Sequence, residues 1–226
     1  MRTIVNIVIF IMVLATVGSA VFAQGSVSSQ RPMRSLAGFE SVRSAAGHRL
    51  TADKVDPVNA ENFYIGYDLQ AVRYYIAEGQ SKEALTLLIN LWNVVGNEDE
   101  TRLIEDCAAM FKVTGSFKEC SSEISGLEKS IESRLTGEKR WYYDVGKNYS
   151  LMFIVVAAPD GDAEQEFRKQ LDTLGKLAAS APDGTPAGFV TALAELGGYA
   201  SKDLDSHAAV VAIEGLFDEI DNAVNA

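Results

Sequence analysis

From Asp56 onward, apolar residues recur at spacings of three and four. A capping residue or Pro opens most runs, and Gly closes most of them. This pattern predicts about eight helices. The first opens at Asp56-Pro57, with Pro at its favoured first position, and runs to about Glu78 before Gly79. The second opens at Ser81, carries Ala84, Leu88 and Leu91, and ends at Gly96. The third carries Leu103, Ile104, Cys107, Met110 and Phe111 up to Gly115. The fourth carries Phe117, Cys120, Ile124, Leu127, Ile131 and Leu135 up to Gly137. The fifth starts near Glu138 and carries Tyr142, Val145, Tyr149, Met152, Phe153 and Val156, stopping before Pro159. The sixth opens at Asp162 with Phe167, Leu171, Leu174 and Ala178. The seventh opens at Thr185-Pro186 with Phe189, Val190 and Leu193, and ends at Gly197. The eighth runs from about Asp205 with Val210, Ile213, Phe217, Ile220 and Val224.

The best strand candidate is the apolar run Leu151 to Ala158, but the helical period begins well before it, at Trp141, so it reads as buried helix. Short Gly-marked connections make neighbours antiparallel. The expected fold is all-α: about eight antiparallel helices arranged as hairpins, in a bundle or a short α-solenoid-like stack.

The chain before Asp56 has a different character. Arg2, the apolar run Ile4 to Val17 and the small residues up to Ala23 read as a signal peptide over residues 1–23, cleaved after Ala23. Residues 24–54, rich in Ser, Gly, Ala, Gln and Arg, read as a flexible leader, and 55–226 as one all-α domain. The chain is therefore expected to be exported, to the periplasm or the exterior, with no membrane span after cleavage.

Charge sharpens the function classes. The 226 residues hold 20 basic and 31 acidic side chains, a net charge of −11. Residues 159–226 alone hold four basic and thirteen acidic ones. Such a body does not neutralise nucleic-acid phosphates, and its expected partner is a protein or peptide of basic character.

Cys107 and Cys120 lie nearly symmetrically about the turn near Val113 to Ser116, both in apolar stripes. Antiparallel helices would bring them level. In an exported chain this predicts one disulfide across the hairpin. Their spacing is not that of a redox-active Cys-x-x-Cys pair.

The first hairpin, Pro57 to Val95, resembles a tetratricopeptide-type helical pair. Tyr75, Gly79, Ala84 and Leu88 occupy that motif's aromatic, turn, small and large apolar positions. Val72 stands where the motif has a small residue, and Lys118 stands 34 positions after Ala84, so the motif does not recur. The resemblance implies a peptide- or protein-binding scaffold.

Two aromatic clusters are the candidate binding residues: Tyr64, Tyr67, Tyr74 and Tyr75 in the first helix, and Trp141, Tyr142 and Tyr143 in the fifth. On a helical wheel the first helix has an aliphatic face (Val58, Ile65, Leu69, Val72, Ile76) and an opposite aromatic one. It is either sandwiched between layers or displays an aromatic surface. If the two helices meet, the clusters could line a groove, with Asp68, Arg73, Asp144 and Lys147 as polar groups.

Other chemistry has weaker support. Asp160 to Glu166 alternates carboxylates like a calcium loop, but has Gln165 in place of the Gly and Leu171 in place of the bidentate Glu. His207, Glu214 and Asp218 share a helix side without a strong ligand set, and Glu98-Asp99-Glu100 reads as a helix start. No metal or cofactor is expected. Nucleophile-elbow, phosphate-loop and paired-His motifs are absent from the sequence. The reading is a binding scaffold for a protein or peptide, rather than an enzyme. A carrier of a small apolar or aromatic ligand comes second, and a carboxylate-based enzyme third.

Overall fold

A computed structural model describes residues 54–157, 162–204 and 206–225. The proposed signal peptide, and the leader except Lys54, lie outside the described residues. Among the described residues there are eight α-helices and no strand. They are α1 (Pro57–Ala77), α2 (Ser81–Val94), α3 (Glu98–Thr114), α4 (Ser121–Arg134), α5 (Gly137–Ala157), α6 (Ala163–Ala179), α7 (Ala187–Gly198) and α8 (His207–Val224). Leu151 to Ala157 is helical, as the period implied.

The helix ends follow local chemistry. Asn97 caps α3 by accepting from the Asp99 N–H at 2.9 Å, and Gly115, at φ 69°, closes it in the left-handed conformation. Asp162 accepts from the Gln165 N–H at 3.1 Å and caps α6, so one acid of the calcium-like segment serves the helix start. Ser206 caps α8 through the Ala209 N–H at 3.1 Å.

The fourth helix departs from expectation at both ends. A 3-10 turn, Lys118–Cys120, precedes it, because Phe117 turns inward and stacks on Phe111 with ring centroids 4.5 Å apart. At the other end, Leu135 leaves the helix extended (φ −80°, ψ 129°) and is buried. Gly137, at φ 55°, then begins α5.

Where the sequence suggests one domain, the helices form two compact units. The first, Pro57–Ile154, holds α1 to α4 and most of α5. The α1–α2 and α3–α4 hairpins pack through Leu69, Val72, Leu88, Leu91, Ile104, Phe117, Ile124, Leu127 and Ile131. Both faces of α1 are consumed: Ile65, Leu69 and Val72 are buried on one side, Phe63 and Tyr64 on the other. The helix is sandwiched between layers.

The second unit joins the described stretch before Pro57 to the chain from Val155 onward. Here α7 packs against both α6 and α8. Lys54 does not behave as free leader. Its Nζ donates to the carbonyl oxygens of Asn222 and, at 3.0 Å, Asn225, where a cation complements a helix C-terminus. The Val55 N–H donates to the Ala223 oxygen at 2.9 Å, and its side chain is buried.

In each unit, glycines let two helices approach backbone to backbone. A β-carbon on Gly146 of α5 would lie 1.9 Å from the Phe63 oxygen of α1, and one on Gly66 would lie 2.2 Å from the Tyr143 oxygen. A β-carbon on Gly197 of α7 would lie 2.3 Å from the Gly175 Cα of α6.

Candidate functional site

The α1–α5 crossing brings the two aromatic segments together. Phe63 lies 5.7 Å from Tyr149, Tyr67 lies 6.3 Å from Tyr149, and Tyr149 meets Phe153 edge-on at 5.0 Å. These ring contacts join the two segments. Tyr64, Trp141, Tyr142 and Tyr143 are buried, whereas Tyr67, Tyr74 and Tyr75 are half-buried. Trp141 packs edge-on against Tyr142 at 4.9 Å, and Tyr74 lies against Tyr75 at 5.5 Å. Most of the cluster residues thus serve the interior.

Beside them, α1, α4 and α5 converge on a network of charged groups. Glu128 of α4 accepts from Gln70 Nε2 at 3.0 Å and Lys147 Nζ at 2.9 Å, and pairs closely with Arg73. Lys147 also reaches Glu132 at 2.7 Å, and the Tyr143 hydroxyl points at the same carboxylate from 3.4 Å. Arg140 donates to Asp144 at 3.0 Å and to the Glu132 backbone oxygen at 3.0 Å. Asp68 is buried nearby in sequence on α1.

The network's pKa shifts follow from this pairing. Burial pushes the Glu128 carboxyl up, but the hydrogen bond and charge of Lys147, with Arg73 and Gln70, outweigh it and hold the group below its ordinary value. Burial pushes Lys147 down, and its two carboxylate partners more than restore it. Burial, then Glu132 and Glu128, raise the Tyr143 hydroxyl. Three carboxylates and three cations neutralise one another, the arrangement of a structural ion cluster. A general acid or base would instead need a carboxyl poised near neutrality.

A second pair escaped the sequence reading. Glu100 is fully buried and meets Arg134 through two parallel hydrogen bonds, at 2.8 and 3.0 Å, with the Ser130 hydroxyl at 3.1 Å. Glu98 and Asp99 stay exposed at the α3 start, as expected, but Glu100 belongs to the α3–α4 seam.

The cysteines meet as predicted, yet both are free thiols in this structure, so the expected disulfide is not formed in it. Both are fully buried, and Cys120 Sγ lies 3.6 Å from the Cys107 oxygen. Burial first of all pushes both thiol pKa values up. The seam buries both sulfurs, and the Cys120 thiol donates to the Cys107 backbone oxygen.

On α8, burial and then Asp218 raise Glu214, and exposed His207 opposes them. Among the described residues no group of three or more His, Cys, Asp or Glu side chains could hold a metal ion. No helix among them is long and apolar enough to cross a membrane.

The outer side of α2 carries a feature absent from the sequence reading. Ile89 and Trp92 are 52% and 46% exposed. The Trp92 indole N–H donates to Glu105 Oε1 of α3 at 3.2 Å. The signal was the residue spacing: Ile89 and Trp92 fall outside the Ala84, Leu88, Leu91 stripe. In comparisons with known proteins, no family model, curated protein or solved structure matches the chain.

Proposed function

We propose that the chain is an exported helical scaffold that binds a protein or peptide partner of basic character. The observation that carries this reading is the α2 surface: Ile89 and Trp92 remain outside, with the Glu105 carboxylate on the indole N–H, in a chain of net charge −11. The burial of Tyr64, Trp141, Tyr142 and Tyr143 weighs against a small-ligand carrier, and the neutralised ion cluster weighs against carboxylate catalysis. The likeness of the first hairpin to a tetratricopeptide-type pair supports the same reading.

Export implies cleavage after Ala23 and an oxidising compartment, where Cys107 and Cys120 become a disulfide. The step needs a protein disulfide as oxidant: the two thiols lose two protons and two electrons, forming one S–S bond, and the oxidant leaves as a dithiol. Both thiols lie buried in the same seam, with Cys120 Sγ 3.6 Å from the Cys107 backbone oxygen, and bridging them requires the sulfurs to approach further.

Native mass spectrometry of the protein recovered gently from its compartment tests this. The expected species begins at Gln24, is two hydrogens lighter than its dithiol form, and carries a peptide or protein adduct. A chain beginning at Met1, or an adduct that is a small apolar molecule, contradicts the reading.

A further inference from the structure

We propose that Ile89 and Trp92, with Glu105 beside them, form the docking surface for a basic amphipathic segment of the partner. This rests on the scaffold reading above and specifies its site.

Single exposed apolar side chains are ordinary, so the argument depends on what these two share. Three residues apart on one helix, they lie on the same side of α2. Leu85, one turn before Ile89, is half-buried and packs on the core, tying the surface to the interior. Trp92 is the larger anchor, and its indole is tethered to Glu105 across the α2–α3 seam. A half-open Trp ring with a carboxylate at its edge suits a Lys or Arg side chain: the ring face attracts the cation and the carboxylate completes its neutralisation.

Charge complementarity selects the occupant. The exposed charges of α3 up to Asp106 are Glu98, Asp99, Arg102, Glu105 and Asp106, and exposed Lys82 stands at the start of α2. Arg102 pairs with Asp99 at 3.8 Å, which leaves an acidic excess. A second copy would press like carboxylates together, and anionic lipid would be repelled. A segment with apolar residues on one side and Lys or Arg flanking them meets both the apolar anchors and the acidic rim. Trp centres of this kind concentrate binding energy, while the rim charges govern capture and salt dependence.

The test titrates the full-length protein into a fluorescent amphipathic peptide of Leu and Lys at helical spacing, with a Leu and Glu peptide of the same pattern as counter-probe. Binding is read as anisotropy. The Lys peptide is expected to bind in a salt-sensitive manner and the Glu peptide not to bind. Trp92→Ala should weaken binding about tenfold or more, and Trp92→Phe should restore part of it. Glu105→Gln should weaken it less, and Glu195→Gln, an exposed acid on α7, should leave it unchanged. Circular dichroism confirms that each variant is folded; should Trp92→Ala fail to fold, Ile89→Ser serves in its place. Equal binding of both peptides, no binding at all, or Lys-peptide binding untouched by Trp92→Ala and Glu105→Gln overturns the site. A native partner adduct that persists in Trp92→Ala would overturn this surface while leaving the scaffold reading intact. Absence of any partner adduct on the wild-type chain would count against the scaffold reading itself.

Discussion

Gly146 of α5 sits so close to Phe63 of α1 that a β-carbon would lie 1.9 Å from the Phe63 carbonyl oxygen. Backbone atoms cannot move aside as a flexible side chain can. This contact fixes α1 against α5, and with it the placement of Tyr67, Tyr149, Arg73 and Lys147. Gly146→Ala is expected to destabilise the protein by about 3 kcal/mol, the upper range of overpacking costs. Gly126→Ala and Gly215→Ala are the controls. A β-carbon on Gly126 meets only Leu103 side-chain atoms at 3.6 Å or beyond, and one on Gly215 meets nothing within 4 Å. Both should gain about 0.5–1 kcal/mol from helix propensity. Urea denaturation of the three variants checks the contrast.

Arg134 is the charged partner of a carboxylate that has no access to water. Truncation by Arg134→Ala leaves Glu100 charged and buried, and should cost about 2–3 kcal/mol, moderated by water reaching the partly open Arg134 position. A double-mutant cycle with Glu100→Gln should show coupling, because removing both partners removes the stranded charge. Additive effects would mean that the two residues act independently.

The ion cluster gives stability a pH signature. Glu128 lies below its ordinary 4.5, so its contribution is present above that value and is lost as pH falls through the lowered folded pKa. Lys147 and Tyr143 lie above their ordinary 10.5 and 10.0. Their contributions are complete below those values and are lost as pH rises through the raised folded pKa values. Thermal unfolding should therefore show a plateau that falls at both ends. Tyr143→Phe should flatten the alkaline limb, and tyrosinate absorbance from Tyr143 should appear only with unfolding.

The Cys107–Cys120 pair should respond to oxidation. Closing so short a loop adds about 3 kcal/mol on the chain-entropy estimate. Oxidised protein should unfold at higher temperature than reduced protein, and Cys107→Ser should abolish the difference. Equal melting temperatures would contradict the bridge.

The helices are legible because local signals agree with the global fold: Asp56-Pro57, Gly79, Gly115 and Asp162 all mark ends where the apolar period also breaks. The sandwiching of α1 was visible as two apolar faces. Ile89 and Trp92 fall outside the Ala84, Leu88, Leu91 stripe, so the spacing marks them as off the core, but it does not report the Glu105 partner on α3. Glu100 was disguised by its neighbours, since three consecutive acids at a helix start need no partner. The close contact of Gly146 with α1 depends on residues far apart in the chain, and a lone helical Gly gives no distance. The division into two units has the same origin: Val55 pairs with Ala223, a connection no local pattern reports.

In-cell cross-linking tests the central claim most directly. A photo-reactive residue replaces Ile89 in cells that export the chain, with equivalent exposed positions on α3, α4 and α7 scanned in parallel. The expected result is an adduct to a basic protein at position 89, lost on Trp92→Ala. No protein adduct at any scanned position would contradict the scaffold reading.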